Sequence, residues 1–372
     1  MIIGAPKEIK NHEYRVGLTP ASVRELVAHG HRVLVETCAG QGIGMDDATY
    51  IAAGAQIASS AEQVFAQSEM IVKVKEPQAV ERKRLSGGQV LFTYLHLAPD
   101  PEQTHGLIAS GALCIAYETV TSATGGLPLL APMSEVAGRM AVQAGATALE
   151  KSRGGRGVLL GGVPGVEPAK IVILGGGVVG ANAALTAIGS GAEVVVIDRS
   201  LEVLRRLVVQ FGTRIKTVFS TADAIEQHVT SADLVIGGVL IPGASAPKLV
   251  SRALLKRMRP GAVIVDVAID QGGCCETSRP TTHGDPTYEV DGIIHYCVAN
   301  MPGGVPHTST FALNNATLPF TLALASKGAR QALLEDPHLL DGLNVCAGKI
   351  TNQPVADAMG MAYTDPRIAL GR

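Results

Sequence analysis

The residues Lys170-Ile171-Val172-Ile173-Leu174 run directly into Gly175-Gly176-Gly177-Val178-Val179-Gly180, and no other junction in the chain constrains its fold as tightly. It reads as a short buried strand, a tight glycine turn and a helix opened by small residues. A second apolar run, Glu193-Val194-Val195-Val196-Ile197, follows and ends in Asp198. A strand, a glycine turn, a helix and a second strand, with an acid about 20 residues past the glycines, form the dinucleotide-binding fingerprint. Gly175 permits the turn, Gly177 lets the backbone approach a pyrophosphate, and Gly180 lets the helix pack close on the strand. The helix N-terminus attracts the phosphate charge. Asp198 is placed to accept hydrogen bonds from ribose hydroxyls and to repel a 2′-phosphate, which favours NAD over NADP. Arg199 stands beside it and could cradle such a phosphate, although one arginine next to an intact aspartate is more often a solvated surface charge. A glycine turn of this kind also occurs for purely structural reasons; the flanking strands and the acid argue against that here.

The chain has 372 residues, enough for two domains that each bury a core. Hydrophobic residues make up 47% and aromatics only 3%, the Val/Ala/Gly/Leu-rich profile of parallel sheets covered by helices on both faces. A net charge of −2 leaves no electrostatic footprint for nucleic acid. The six cysteines lack metal-ligand spacing and mostly sit in apolar runs, so they read as buried thiols of a reducing compartment, the cytoplasm. Met1-Ile2-Ile3-Gly4-Ala5-Pro6-Lys7 lacks the basic and apolar regions of a signal peptide, and none is expected. The longest apolar tract runs through the fingerprint to Ile197. Glycines and Glu193 interrupt it, so it reads as the core of a soluble fold and not as a membrane span.

Candidate strands before the fingerprint are Met1–Gly4, His31–Glu36, Glu69–Val74, Gln89–Tyr94 and Leu113–Tyr117. Amphipathic stretches such as Thr19–His29, opened by a Thr-Pro pair suited to an N-cap and first helical position, lie between them. That alternation implies a doubly wound parallel sheet. Residues 132–151 read as one long helix with small faces at Ala137, Gly138, Ala141, Ala144, Gly145 and Ala148. Asp233–Gly238 and Ala262–Asp266 continue the second sheet, and Ile293–Ala299 is its last expected strand. His307–Lys327 turns helical and is expected to pack back on the first domain. The expected architecture is α/β: two doubly wound Rossmann-like domains joined by long helices. A substrate domain of 1–128 plus 300–372 encloses an NAD-binding domain of 129–299.

A nicotinamide enzyme must hold its substrate and move protons, and open α/β sheets bind ligands at the carboxyl ends of their strands. Four residues sit at such ends: Arg15 after the first strand, Lys75 closing Met70–Val74, His96 after Leu91–Leu95, and Asp270 closing the last long strand. A guanidinium grips a carboxylate in two places, and an ammonium polarises a carbonyl or imine as a point charge. A histidine shuttles protons near neutral pH, and a carboxylate orients water or ammonia. Taken singly, each of these residues would more often be an ordinary surface or structural group.

The segments around them resemble alanine dehydrogenase over nearly the whole chain. The matching runs include PKEIKNHEYRVGLTP, VKVKEPQ, LFTYLHLA, LPLLAPMSEVAGR, DLVIGGVLIPGASAPKLV, VDVAIDQGGC and YCVANMPGGVP. The resemblance implies that Arg15 and Lys75 bind substrate and that His96 and Asp270 are the catalytic pair. It implies a cofactor site of Ser134, Gly175, Gly177, Val178, Val179, Gly180, Asp198, Ser220, Val239, Leu240, Val267, Ala268, Ile269, Asp270, Arg279, Asn300 and Met301. The implied reaction is reversible oxidative deamination of L-alanine to pyruvate and ammonia with NAD, in a homo-oligomer, a hexamer, without metal, membrane or nucleic acid. The family often carries a basic residue five positions after the ribose aspartate, where this chain has Val203; its contact is then lost or taken over by Arg199 or Arg205. A metal pair described for the C-terminal helix is not expected, because Ala323 and Lys327 cannot form one. Three other readings stay open: an NAD-binding transhydrogenase subunit, which needs no amino-acid site; a dehydrogenase of another 2-amino or 2-oxo acid; and a non-catalytic redox sensor.

Overall fold

Strands buried on both faces carry apolar residues at every position, since successive side chains point to opposite sides of the sheet. The computed structural model, which describes residues 1–239 and 246–371, follows that rule. The chain divides into two units, Met1–Met133 with Val305–Arg372, and Ser134–Gly304. In the first, β1 (Ile2–Ala5), β2 (Arg32–Glu36), β3 (Gln56–Ala58), β4 (Met70–Val72), β5 (Val90–Thr93) and β6 (Leu113–Ala116) lie in the order β3-β2-β1-β4-β5-β6. Every neighbouring pair among these six is parallel. The order reverses at β1, so the loops leaving β1 and β4 part to opposite sides and open a crevice at the carboxyl edge. The helix Pro20–Ala28 follows β1. Thr19 caps it by accepting from the Ser22 amide, and Pro20 supplies the preset φ of its first position.

The second unit repeats the order. Its strands are β7 (Lys170–Leu174), β8 (Glu193–Asp198), β9 (Lys216–Phe219), β10 (Leu234–Gly237), β11 (Val263–Asp266), β12 (Thr287–Val290) and β13 (Ile293–Tyr296). They run β9-β8-β7-β10-β11-β13, with β12 antiparallel on the edge of β13. The reversal falls at β7, where the glycine turn leaves the sheet. Alternate residues feed two cores. Ile171, Ile173, Val194, Val196, Leu234 and Ile236 pack on one face, and Val172, Leu174, Val195, Ile197, Val235 and Ile264 on the other. Each such buried side chain contributes about 1.5–3 kcal/mol over its exposed state. The long helix forms over Ala131–Ala148. A Cβ on Gly138 would lie 2.2 Å from the Val179 carbonyl oxygen, and one on Gly145 2.6 Å from a Leu234 methyl. The small face therefore lets this helix press against the fingerprint helix and β10.

Ile293–Ala299 is not the last strand. After the helix Pro306–Lys327, β14 (Leu343–Cys346) and β15 (Lys349–Ile350) return to the first sheet, β14 lying antiparallel on β6. A four-residue strand with a polar residue inside it has no clear period. Buried Asn344 is accommodated because its amide donates to Thr119 Oγ1 at 2.7 Å and to the Gly342 carbonyl at 3.0 Å. The helix Pro306–Lys327 joins the first unit through Asn314, whose Oδ1 accepts from the Thr19 amide at 2.8 Å and from Ser22 Oγ at 2.9 Å.

Candidate active site

In the first unit Arg15, Lys75 and His96 follow β1, β4 and β5, so three consecutive neighbours of the sheet deliver them to its carboxyl edge. Lys75 lies three residues past the end of β4 instead of closing it. Arg15 is 2% exposed. Its Nε donates to Glu13 Oε1 at 2.7 Å and its Nη2 to Glu13 Oε2 at 2.6 Å. One fork of the guanidinium is thus spent on Glu13, and the Nη1 end, 3.0 Å from Met133 Sδ, points elsewhere. Burial works against the charge, but the Glu13 hydrogen bonds and charge outweigh it and raise the Arg15 pKa.

Behind this pair lies a second buried set. Lys73 Nζ donates to Glu8 Oε2 at 3.0 Å and to Glu81 Oε1 at 2.7 Å. The other Glu8 oxygen accepts from the amides of Val74, at 2.7 Å, and Lys75, at 3.3 Å. Burial pushes the Glu8 carboxyl up against the pull of Lys73. Thr93 Oγ1 donates to the Lys75 carbonyl at 3.0 Å, so the backbone of Lys75 is held from both sides while its side chain is half-buried. Glu76 feels that side chain. Burial disfavours its charge, but Lys75 and the contacting Lys10 hold its pKa below the usual carboxylate range.

His96 adopts a left-handed backbone, φ 51°. Such a conformation costs a non-glycine residue energy and persists only where its surroundings impose it. Glu118 does so here, from the turn after β6. It accepts from the His96 amide at 2.6 Å and from the Leu95 amide at 3.2 Å, and its Oε1 lies 3.7 Å from the imidazole Nδ1. Tyr94 stacks on the ring with centroids 5.8 Å apart, and its hydroxyl donates to the Leu129 carbonyl at 2.5 Å. The imidazole itself remains 44% exposed. Glu8, Glu13, Lys73, Tyr94 and Glu118 were not singled out from the sequence. A charge inside an apolar strand run, as at Lys73, is the signal that could have found its partners.

In the second unit the glycine turn has the expected form. Gly175 sits at φ 95° against Gly238, and a Cβ on Gly180 would meet the Gly175 oxygen at 1.9 Å. Around Gly177 a Cβ would find open space, and this residue opens the helix Val178–Gly189 with no side-chain cap. The first-turn amides of Val178 and Val179 are therefore left for another acceptor, which suits a pyrophosphate. Asp198 ends β8. Its Oδ2 accepts from the Gly176 amide and its Oδ1 from the Ser200 amide, both at 2.7 Å, leaving each oxygen a further lone pair for a ribose hydroxyl. The Ser220 amide donates to the Asp198 carbonyl at 3.0 Å. Val239 follows β10 beside Gly175, whereas Leu240 lies outside the described residues.

Ser134 is the fourth residue of its helix, not its cap, one turn before Gly138, which touches Val179. Val267, Ala268, Ile269 and Asp270 form a 3-10 turn after β11, with Asp270 exposed four residues past the strand it was expected to close. Asn300, at φ 67°, and buried Met301 follow β13. The Arg279 guanidinium lies 4.2 Å from the centre of the Tyr288 ring. Val203 packs on the glycine turn, where a Cβ on Gly176 would be 2.8 Å from it. Arg206 also reaches this turn and donates to the Gly176 carbonyl at 3.1 Å. Among the described residues there is no cluster of three or more His, Cys, Asp or Glu side chains able to hold a metal ion. Nor, among them, is any helix long and apolar enough to cross a membrane.

Two family models match the chain, alanine dehydrogenase/PNT N-terminal domain over residues 4–137 and alanine dehydrogenase/PNT C-terminal domain over 141–353. Curated relatives named alanine dehydrogenase include one from Halomonas elongata, 60% identical over 100% of both chains. Another, from Bacillus subtilis, is 54% identical over 100% of this chain and 98% of its own. A solved L-alanine dehydrogenase superimposes with a TM-score of 0.94 at 54% identity, covering 97% of this chain and 99% of its own. A transhydrogenase from Sinorhizobium meliloti reaches a TM-score of 0.83 at 26% identity, over 94% of this chain and 100% of its own.

Proposed function

The chain belongs to the alanine dehydrogenase/PNT family, and from that premise we propose that it catalyses reversible oxidative deamination of L-alanine with NAD. L-alanine, NAD⁺ and water give pyruvate, ammonium, NADH and a proton. The observation that carries this reading is the delivery of Arg15, Lys75 and His96 to one edge of the first sheet by neighbouring strands. A redox sensor or a hydride-exchange module has no need of a carboxylate grip joined to a proton shuttle.

Bound NAD supplies the hydride acceptor for the alanine α-carbon. Its phosphates would lie on Gly177 and the Val178 and Val179 amides, its ribose on Asp198. Ser134, Ser220, Val239, Val267, Ala268, Ile269, Arg279, Asn300 and Met301 would line the rest. Arg15 receives the substrate carboxylate on its guanidinium, which Glu13 orients through Nε and Nη2. Lys75 donates to the carbonyl oxygen or imine nitrogen and stabilises the charge that grows there. His96 takes a proton from the water that adds to the imine and returns it to the departing amine. Asp270 orients that water. The homohexameric assembly and cytoplasmic location are proposed from the family resemblance.

Reduction of NAD should be followed across a panel of L-amino and 2-hydroxy acids. L-alanine is expected to be the preferred substrate; reduction with L-lactate or L-lysine but not with L-alanine would overturn the proposal. NAD should be strongly preferred over NADP. Changing Asp198 to Ser should narrow that preference by about 10- to 150-fold, the scale of one charged hydrogen bond of about 1.5–3 kcal/mol. An unaltered preference in the variant would mean that Asp198 is not the discriminator.

A further inference from the structure

We propose that Lys248 and Asp266 are positioning residues that set the loop carrying Asp270, one charge holding its carbonyls and the other its amides. The proposal rests on the role assigned to Asp270 above. β11 ends at Asp266, which is 0% exposed. Beyond it the 3-10 turn Val267–Gln271 runs into Gly272 at φ 87° and Gly273 at φ 76°, and these two residues fold the chain back over the strand end. The reversal turns two amides inward. Cys274 N and Cys275 N donate to Asp266 Oδ2 at 2.8 and 3.2 Å, and Ser278 Oγ donates to the same oxygen at 2.5 Å. A Cβ at Gly273 would lie 2.6 Å from Oδ2, so only a glycine lets the loop sit this close to the anion.

The carbonyls on the other side converge on Lys248. Its Nζ donates to the oxygens of Gly272 at 2.5 Å, Gly273 at 2.9 Å and Cys275 at 3.3 Å. The segment that carries the lysine is itself tied to the loop, since Ala246 N donates to the Gln271 carbonyl at 2.9 Å and Leu249 N to that of Cys274 at 2.7 Å. Three donors on a buried anion and three acceptors on one cation specify a single loop height. Asp270, exposed at the outer end of the same turn, takes its position from that height. A misplacement of about 1 Å at a reacting group costs about 10²-fold in rate.

The test uses the full-length protein and the exposed Lys248, whose replacement leaves the buried carboxylate and its donors in place. Lys248→Met keeps the length of the side chain and removes its donors. It is expected to lower kcat for L-alanine by about 10- to 100-fold while the KM for pyruvate stays unaltered, the carboxylate grip belonging to the other unit. Lys248→Arg should recover most of the loss. In an Asp270→Asn background, Lys248→Met should cause no further loss, a coupling that general destabilisation would not produce. Wild-type kcat in Lys248→Met overturns the proposal, as does a loss that repeats undiminished in the Asp270→Asn background. Wild-type turnover in Asp270→Asn alone would instead remove the premise, and the proposal with it.

Discussion

Replacing His96 with Asn is expected to lower alanine-dependent NAD reduction by about 10²- to 10⁴-fold, the usual contribution of general acid–base catalysis. Asparagine is the informative choice because residue 96 has φ 51°, and Asn tolerates the left-handed region better than Ala does. Its amide still donates to Glu118, so the turn is kept while the proton carrier is lost. Asp270→Asn should cause a loss of the same order, and both variants should still bind NADH, measured by its fluorescence. The substrate amine must lose its proton before hydride transfer, so the deaminating rate should rise with pH in the unaltered enzyme. Near wild-type turnover in His96→Asn would reduce the histidine to scaffold.

Arg15 should show the second large effect, on two separate measurements. Arg15→Lys removes the planar fork, and the KM for pyruvate should rise by about 10- to 150-fold, equivalent to about 1.5–3 kcal/mol, with NAD affinity preserved. Arg15→Met goes further, because it takes the guanidinium away from Glu13, whose side chain is 0% exposed. Removing the cation of a buried ion pair costs about 3–5 kcal/mol, so the melting temperature should fall sharply. Adding Glu13→Gln should restore much of the stability and none of the substrate binding. An equal fall in NAD affinity in Arg15→Lys would show that the arginine acts on the fold and not on the substrate.

Residues legible in the sequence share a local signal. The fingerprint strand, its glycines and Asp198 lie within one short stretch, and each carries its own steric or electrostatic reason. The parallel strands were visible because burial on both faces leaves unbroken apolar runs. The short strands β3, β9, β12, β14 and β15 were not, being two to four residues long and half-polar or on an edge. Arg206 also escaped notice, since only the pitch of its helix, Leu201–Phe211, turns it rather than Arg205 toward the Gly176 carbonyl.

The sequence by itself determined two α/β units, the residues of their central strands and the glycine turn for a dinucleotide. Local sterics and unbroken apolar runs suffice for all of these. Only the tertiary structure decided how the site residues are held. Glu118 meets the His96 amide across 22 residues, Glu8 reaches the Val74 amide across 66, and Lys248 reaches the Gly272 carbonyl across 24. Such pairings depend on strand order and on which loops leave the same sheet edge. The buried charges belong with them, since a carboxylate such as Glu8 is stable out of water only once the fold has brought Lys73 and the Val74 amide to it.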